Sequence, residues 1–174
     1  KALSFDGVDD YVNIGDKFNF GYTAPQTYLI WIKTTSSLNV AFISKQMYNS
    51  PYTGTIFEIF DSNGIRWQTL VDINNRLGKI WNVMNFNDNN WHNLGVVKGD
   101  QTAAKLKLYM DGVEVTNVRV IYNNLTSDVI TSKNFEIGAR DGTYQAYKGL
   151  IDEVRVYNRA LSDQEIKALY DATK

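Results

Sequence analysis

The chain has 174 residues, 18 basic and 19 acidic side chains, and a formal net charge of -1. Without a basic excess to neutralise phosphates, nucleic acid is disfavoured as a partner. Without cysteine, disulfides and thiolate chemistry are excluded; without an apolar run of transmembrane length, so is membrane insertion by a helix.

The length fits one domain, residues 1–174, which buries roughly 70% of the surface its unfolded chain exposes. The chain opens at Lys1-Ala2-Leu3-Ser4-Phe5 with no signal peptide. It is therefore expected to be a module excised from a larger protein, covalently linked there to neighbouring domains. Tyr28, Ile30 and Ile32 alternate with Leu29 and Trp31, so both faces of this predicted strand are apolar. Such a strand belongs in a central sheet position, with something packed or bound on its second face. Thr55–Phe60 and Ile65–Val71 flank Asn63-Gly64, a predicted hairpin turn. Asn85–Asn90 is a polar loop before the strand Trp91–Val97. Asp111-Gly112 joins Leu106–Met110 to Val113–Val115, and Asp-Gly suits a turn with positive φ. Leu106, Leu108 and Met110 are expected inside, with Lys107 and Tyr109 on the other face.

The closing segment, from Gly149 to about Ala172, reads as one strand running into one helix. Val154, Val156 and Tyr157 supply strand-forming side chains. Ser162 and Glu165 have capping-box spacing, and Leu161 with Ile166 can form a hydrophobic staple. Ile166, Leu169 and Tyr170 then make one apolar face, which predicts a helix from Ser162 to about Ala172. Short alternating segments parted by Gly, Asn and Asp predict an antiparallel all-β domain with this one helix.

Four blocks in order, Leu3–Val12, Thr27–Thr34, Trp91-His92 with Leu108–Gly112, and Ile151–Tyr170, resemble the laminin-G-like domains of the concanavalin A-like lectin/glucanase superfamily. The resemblance implies a two-sheet jelly-roll β-sandwich, with Leu3–Val12 as its opening hairpin. It also implies non-catalytic binding of a polysaccharide or glycan, as an accessory of a larger secreted or cell-surface protein. The rival function is a structural spacer or protein-binding adhesion domain. In the resembled fold the two chain ends lie side by side, which makes Asp6, Asp9, Asp10 and Asp152 candidate ligands of a structural calcium. Calcium takes six to eight oxygens, and backbone carbonyls complete such a shell. The competing roles are turn formation by Asp6 and Asp9 and pairing of Asp152 with a basic neighbour.

Aromatic side chains supply the candidate sugar contacts, because flat rings stack on the apolar faces of sugars while polar neighbours bond the hydroxyls. Tyr48 and Tyr52 lie in the loop Gln46–Gly54. Tyr144 and Tyr147 lie in the segment Arg140–Tyr147, where Arg140 and Asp141 offer a charged fork for hydroxyls. Trp67 and Trp81 are candidates for a ligand-lining face, with packing as the competing role; Trp31 and Trp91 are expected in the core. Catalysis is disfavoured. His92 is the only histidine, and packing or a backbone hydrogen bond is its expected role. No strand carries the alternating carboxylates that hydrolases of this superfamily use, and Glu58 and Asp61 point opposite ways on a strand.

Overall fold

Alternation of branched and aromatic residues with polar ones resolves into thirteen strands and one helix in the computed structural model, which describes residues 1–174. In chain order the strands are β1 (Leu3–Asp6), β2 (Val12–Asn13), β3 (Gln26–Lys33), β4 (Val40–Gln46), β5 (Gly54–Asp61), β6 (Gly64–Asp72), β7 (Asn75–Asn82), β8 (His92–Lys98), β9 (Leu106–Met110), β10 (Val113–Glu114), β11 (Val118–Asn123), β12 (Glu136–Ile137) and β13 (Lys148–Tyr157). The helix α1 spans Asp163–Thr173. No helix is long and apolar enough to cross a membrane.

The strands form two antiparallel sheets, the expected jelly-roll sandwich. The six-stranded sheet has the order β1-β13-β3-β8-β9-β10 and the seven-stranded sheet β11-β7-β6-β5-β4-β12-β2. Between them lies a core of 25 buried residues, with Ile30, Ile32, Leu94, Val96 and Leu108 from one sheet against Phe42, Phe57, Ile59, Ile65 and Leu77 from the other. Each such side chain contributes about 1.5–3 kcal/mol through burial.

Local signals hold where the chemistry is local. Asp111 (φ 53°) and Gly112 (φ 77°) make the two-residue turn between Met110 and Val113. Ser162 caps α1, with its hydroxyl accepting from Glu165 N–H and the Glu165 carboxylate accepting from Ser162 N–H. Leu161 and Ile166 meet in a second apolar cluster with Leu29, Val97 and Tyr109, so α1 closes the outer face of the six-stranded sheet.

Three expectations need correction. Leu3–Val12 is no hairpin: β1 pairs with β13 in one sheet and β2 with β12 in the other, so the chain crosses the sandwich at this turn. The turn at β5–β6 falls one residue early, at Ser62-Asn63, with Gly64 already paired to Asp61. A Cβ at Gly64 would stand 2.6 Å from Asp61 Oδ1, so a larger residue there would displace the Asp61 carboxylate. Trp91 is not core; it is 37% exposed at the start of β8, while Trp31 is buried under α1 rather than between the sheets.

Candidate ligand-binding face

Strand pairing fixes which residues share the outer face of the seven-stranded sheet. Phe57 and Trp67 are paired and face the core, so their neighbours Ile56, Glu58, Arg66 and Gln68 face outward. One outward row runs Ala41, Glu58, Arg66, Ile80; the next runs Ser44, Ile56, Gln68, Gly78; a third begins with Gln46 and Gly54. Gly54 is required at its place (φ 134°), because a Cβ would overlap the Lys45 carbonyl oxygen at 2.0 Å.

Much of this outer face is buried and polar. Glu58, Gln46 and Gln68 are all buried. Glu58 is held from two sides: Arg66 Nε donates to Oε1 at 2.6 Å and Gln145 Nε2 donates to Oε2 at 2.9 Å. Burial pushes the Glu58 carboxyl up, and the Arg66 charge and these hydrogen bonds offset only part of that rise. Neither amide atom of Gln46, nor Gln68 Oε1, nor Arg140 Nε has a hydrogen-bond partner in the chain.

Two loops lie over this floor. The segment Ala139–Tyr147 is anchored by the Gln145 side chain on Glu58 and by the Gln145 carbonyl, which accepts from Ala41 N–H at 2.9 Å. Arg140 Nη2 donates to the Met47 carbonyl at 2.7 Å and Nη1 to Gln145 Oε1 at 3.1 Å. Asp141 accepts from Tyr48 N–H at 3.1 Å and pairs with Lys133 at 2.6 Å. Arg140 and Asp141 thus tie the two loops together, and Arg140 Nε is left with no partner. Tyr52, Asp141 and Gln145 all have left-handed backbones (φ 64°, 51° and 51°), a conformation that costs a non-glycine residue about 1–3 kcal/mol and clusters at ligand clamps.

The loops bring Tyr48, Tyr52 and Tyr144 together. The rings of Tyr48 and Tyr144 are 3.7 Å apart between centroids, the Arg140 guanidinium lies 5.6 Å from the Tyr52 ring, and each of the three is about 40% exposed. Farther along the same face, Arg66 stacks on Phe60 at 3.9 Å and Arg76 on Tyr122 at 3.6 Å.

Three predicted ring contacts are overturned. Trp67, Trp81 and Tyr147 are each 1% exposed or less and pack in the core, so no ligand reaches them. Trp67 and Trp81 occupy the inward phase of their strands, and Tyr147 packs edge-on against Phe5 and Phe42. The sequence reading missed Gln46, Glu58, Gln68 and Gln145. For Gln46, Glu58 and Gln68 the one signal is a polar residue within a strand otherwise apolar on both faces; Gln145, in a loop, has none.

The metal candidates divide. The carboxylates of Asp6, Asp9 and Asp10 lie within 4.8 Å of one another, all exposed. Asp6 Oδ1 accepts from Val8 N–H and Asp10 Oδ2 from Asp6 N–H, so two of the carboxylates also hold the turn. Asp152 does not join them. The chain ends do run side by side, but the register sets Lys148 opposite Asp6 and Trp31 opposite Asp152. The remaining all-oxygen set fits a hard cation such as calcium, with carbonyls or water completing the shell.

His92, expected to pack or bond backbone, is clasped by two carboxylates, with Asp111 2.8 Å from Nδ1 and Asp88 3.0 Å from Nε2. Burial works against its charge, yet the two carboxylates outweigh it and raise the imidazole pKa.

Two antiparallel sheets packed face to face over one core define the class of jelly-roll β-sandwiches. The chain belongs to the concanavalin A-like lectin/glucanases superfamily: the Laminin_G_3 family model matches residues 6–167. No characterised protein sequence matches it. Among solved structures it is similar to the binding domain of Paraclostridial Mosquitocidal Protein 1, with TM-score 0.71 and 15% identity over 98% of this chain and 43% of that one. It is similar to the botulinum neurotoxin serotype D binding domain, with TM-score 0.70 and 14% identity over 98% and 42%. It is also similar to Domain 4 of AbnA, a GH43 extracellular arabinanase from Geobacillus stearothermophilus, solved with arabinotriose, with TM-score 0.58 and 19% identity over 97% and 76%. The chain spans less than half the length of the two toxin domains. At these identities the likeness shows the fold.

Proposed function

We propose that this domain is a non-catalytic carbohydrate-binding module that holds a larger secreted or cell-surface protein to a polysaccharide or glycan. One observation carries the reading: two loops tied to each other gather three exposed tyrosines, Tyr48, Tyr52 and Tyr144, beside the Arg140 guanidinium. Rings stack on sugar faces, and amide and guanidine groups bond hydroxyls. The arabinotriose complex of the similar arabinanase domain supports the saccharide class. Hydrolysis is disfavoured at this face, because both oxygens of Glu58 are engaged and the group is fully buried. Affinity at a single site is weak, and repetition in the parent protein raises it.

Affinity gel electrophoresis against arabinan, xylan, β-glucan and galactomannan tests the reading. Tyr48→Ala and Tyr144→Ala are expected to abolish retention while shifting stability by no more than about 0.5 kcal/mol, as exposed substitutions do. Normal retention of both variants would clear this face. Failure of the unaltered domain to bind any glycan would instead favour a spacer or protein-binding role.

The reading includes a structural calcium at Asp6, Asp9 and Asp10, pinning the turn where the chain changes sheets. Calcium at a hundredfold excess over its Kd stabilises by about 2.7 kcal/mol, which for a chain of this size raises the melting temperature by roughly 5–10 °C. An identical melt in millimolar calcium and in EDTA rules the ion out.

A further inference from the structure

We propose that a groove on the opposite side of the molecule, where the end of α1 meets the outer face of the six-stranded sheet, is a second saccharide site that takes an uncharged sugar unit. This site stands independently of the tyrosine face.

The groove is built by strand register and by the end of the helix. Asp152 on β13 pairs across the sheet with Trp31 on β3, so both project outward there. The Tyr170 ring stacks on Trp31, with centroids 5.6 Å apart and planes 20° apart, and Thr173 Oγ1 accepts from the Trp31 indole N–H at 3.0 Å. Trp91, Ala2, Glu153 and Lys174 complete the lining. The space between them is about 480 Å³, within the range of small-molecule sites.

The chemistry is that of a sugar subsite. Trp31, Trp67 and Trp81 are buried, whereas the Trp91 indole is 37% exposed, a free apolar surface against which a sugar ring can lie. Asp152 has no basic partner; its Oδ1 accepts from Glu153 N–H at 2.9 Å and Oδ2 has no partner. A carboxylate beside an indole accepts from sugar hydroxyls while the ring packs on the sugar's C–H face. The pairing of β13 with β3 breaks between Asp152 and Arg155, and Glu153 there is left-handed at φ 50°. Bulges of this kind re-aim side chains beside sites. Charge then selects. Glu153 pairs with Arg155 at 2.5 Å, while Lys174 and Lys167 share the Asp171 carboxylate, so Asp152 is the one carboxylate lining the groove without a basic partner. A free carboxylate repels uronate and sialate units and accepts from neutral ones. Two sites on opposite sheets make one domain able to bridge two strands of a polysaccharide.

Acrylamide quenching of tryptophan fluorescence reads the groove directly, since Trp91 is the one indole of the four well open to solvent. The full chain is titrated with arabinotriose, xylotriose, maltotriose and mannotriose, alongside trigalacturonate and choline. At least one neutral triose is expected to lower the quenching constant about twofold, equally in the Tyr48→Ala/Tyr144→Ala double variant. Asp152→Asn is expected to weaken that protection at least fivefold with its melting temperature unchanged. Ligand-observed NMR with Trp91→Ala supplies a second readout, in which contact with the same triose is lost. Protection by choline or trigalacturonate alone, absence of protection by any neutral triose, or full protection in Asp152→Asn overturns the proposal. So does loss of protection in the tyrosine double variant, since the two faces would then not be separate. Loss of polysaccharide retention without loss of Trp91 protection in that variant leaves both sites standing. Retention unaffected by the tyrosine changes, with Trp91 still protected, removes the tyrosine face alone.

Discussion

The two sheets are covered on their outer sides by opposite means. α1 seals the six-stranded sheet with Leu161 and Ile166 against Leu29, Val97 and Tyr109, an apolar contact made by a contiguous helix. The seven-stranded sheet is covered by loops held through hydrogen bonds and charge, with Glu58 as the anchor. The first cover is a non-directional contact that needs only apolar residues at helical spacing. The second works only if every buried polar group finds its partner, and several have not. The apolar seal leaves no ring of its cluster in solvent, whereas the loop cover leaves Tyr48, Tyr52 and Tyr144 open to a ligand.

Removing each anchor sharpens the contrast. Glu58→Ala leaves Arg66, whose side chain is 14% exposed, without its carboxylate. It is expected to cost about 3–5 kcal/mol and to free the loop bearing Tyr144, so urea unfolding and glycan retention should fail together. Retention intact in a destabilised Glu58→Ala would break the link between floor and rings. Ile166→Ala empties the apolar seal and is expected to cost about 2–4 kcal/mol, with retention at the tyrosine face unchanged. Loss of retention there would show that the two covers are coupled.

The smallest effect lies at the first residue of β8 and is read by pH. His92 has a raised folded pKa, with Asp88 held down at about 2 by hydrogen bonds from Asn90 and His92. Its contribution is fully present below the unfolded value of about 6.5 and is lost as pH rises through the folded pKa. The stability difference between the native chain and His92→Asn should therefore shrink between pH 6 and pH 9. The clasp is partly exposed, so the change is on the order of 1 kcal/mol or less. A difference independent of pH would mean that the imidazole is held without charge.

The same contrast explains what could be read from sequence. The apolar cover was legible because its determinants are adjacent: Leu161, Ser162, Glu165 and Ile166 lie within six residues. The polar cover was not. Glu58 and Gln68 look like ordinary outward strand positions, and only the return of Gln145 buries them. Tyr48 and Tyr144 were identified as ring-bearing loop residues, but nothing local placed their rings 3.7 Å apart. Alternation along β6 and β7 shows which residues share a face, not which face is inside, and Trp67 and Trp81 were misplaced for that reason. Asp152 failed through register: the seam between β1 and β13 was foreseen, its alignment was not.

The sheet margins have a consequence for handling the protein. β1, β2 and β10 have four, two and two residues, too short to template a strand from another molecule. β11 is longer, with Ile121 exposed, and its defences are the irregular pairing between Val118 and Val120 and the charge of Arg119. Self-association in concentrated samples will start along β11, and replacing Arg119 with an apolar residue will hasten it.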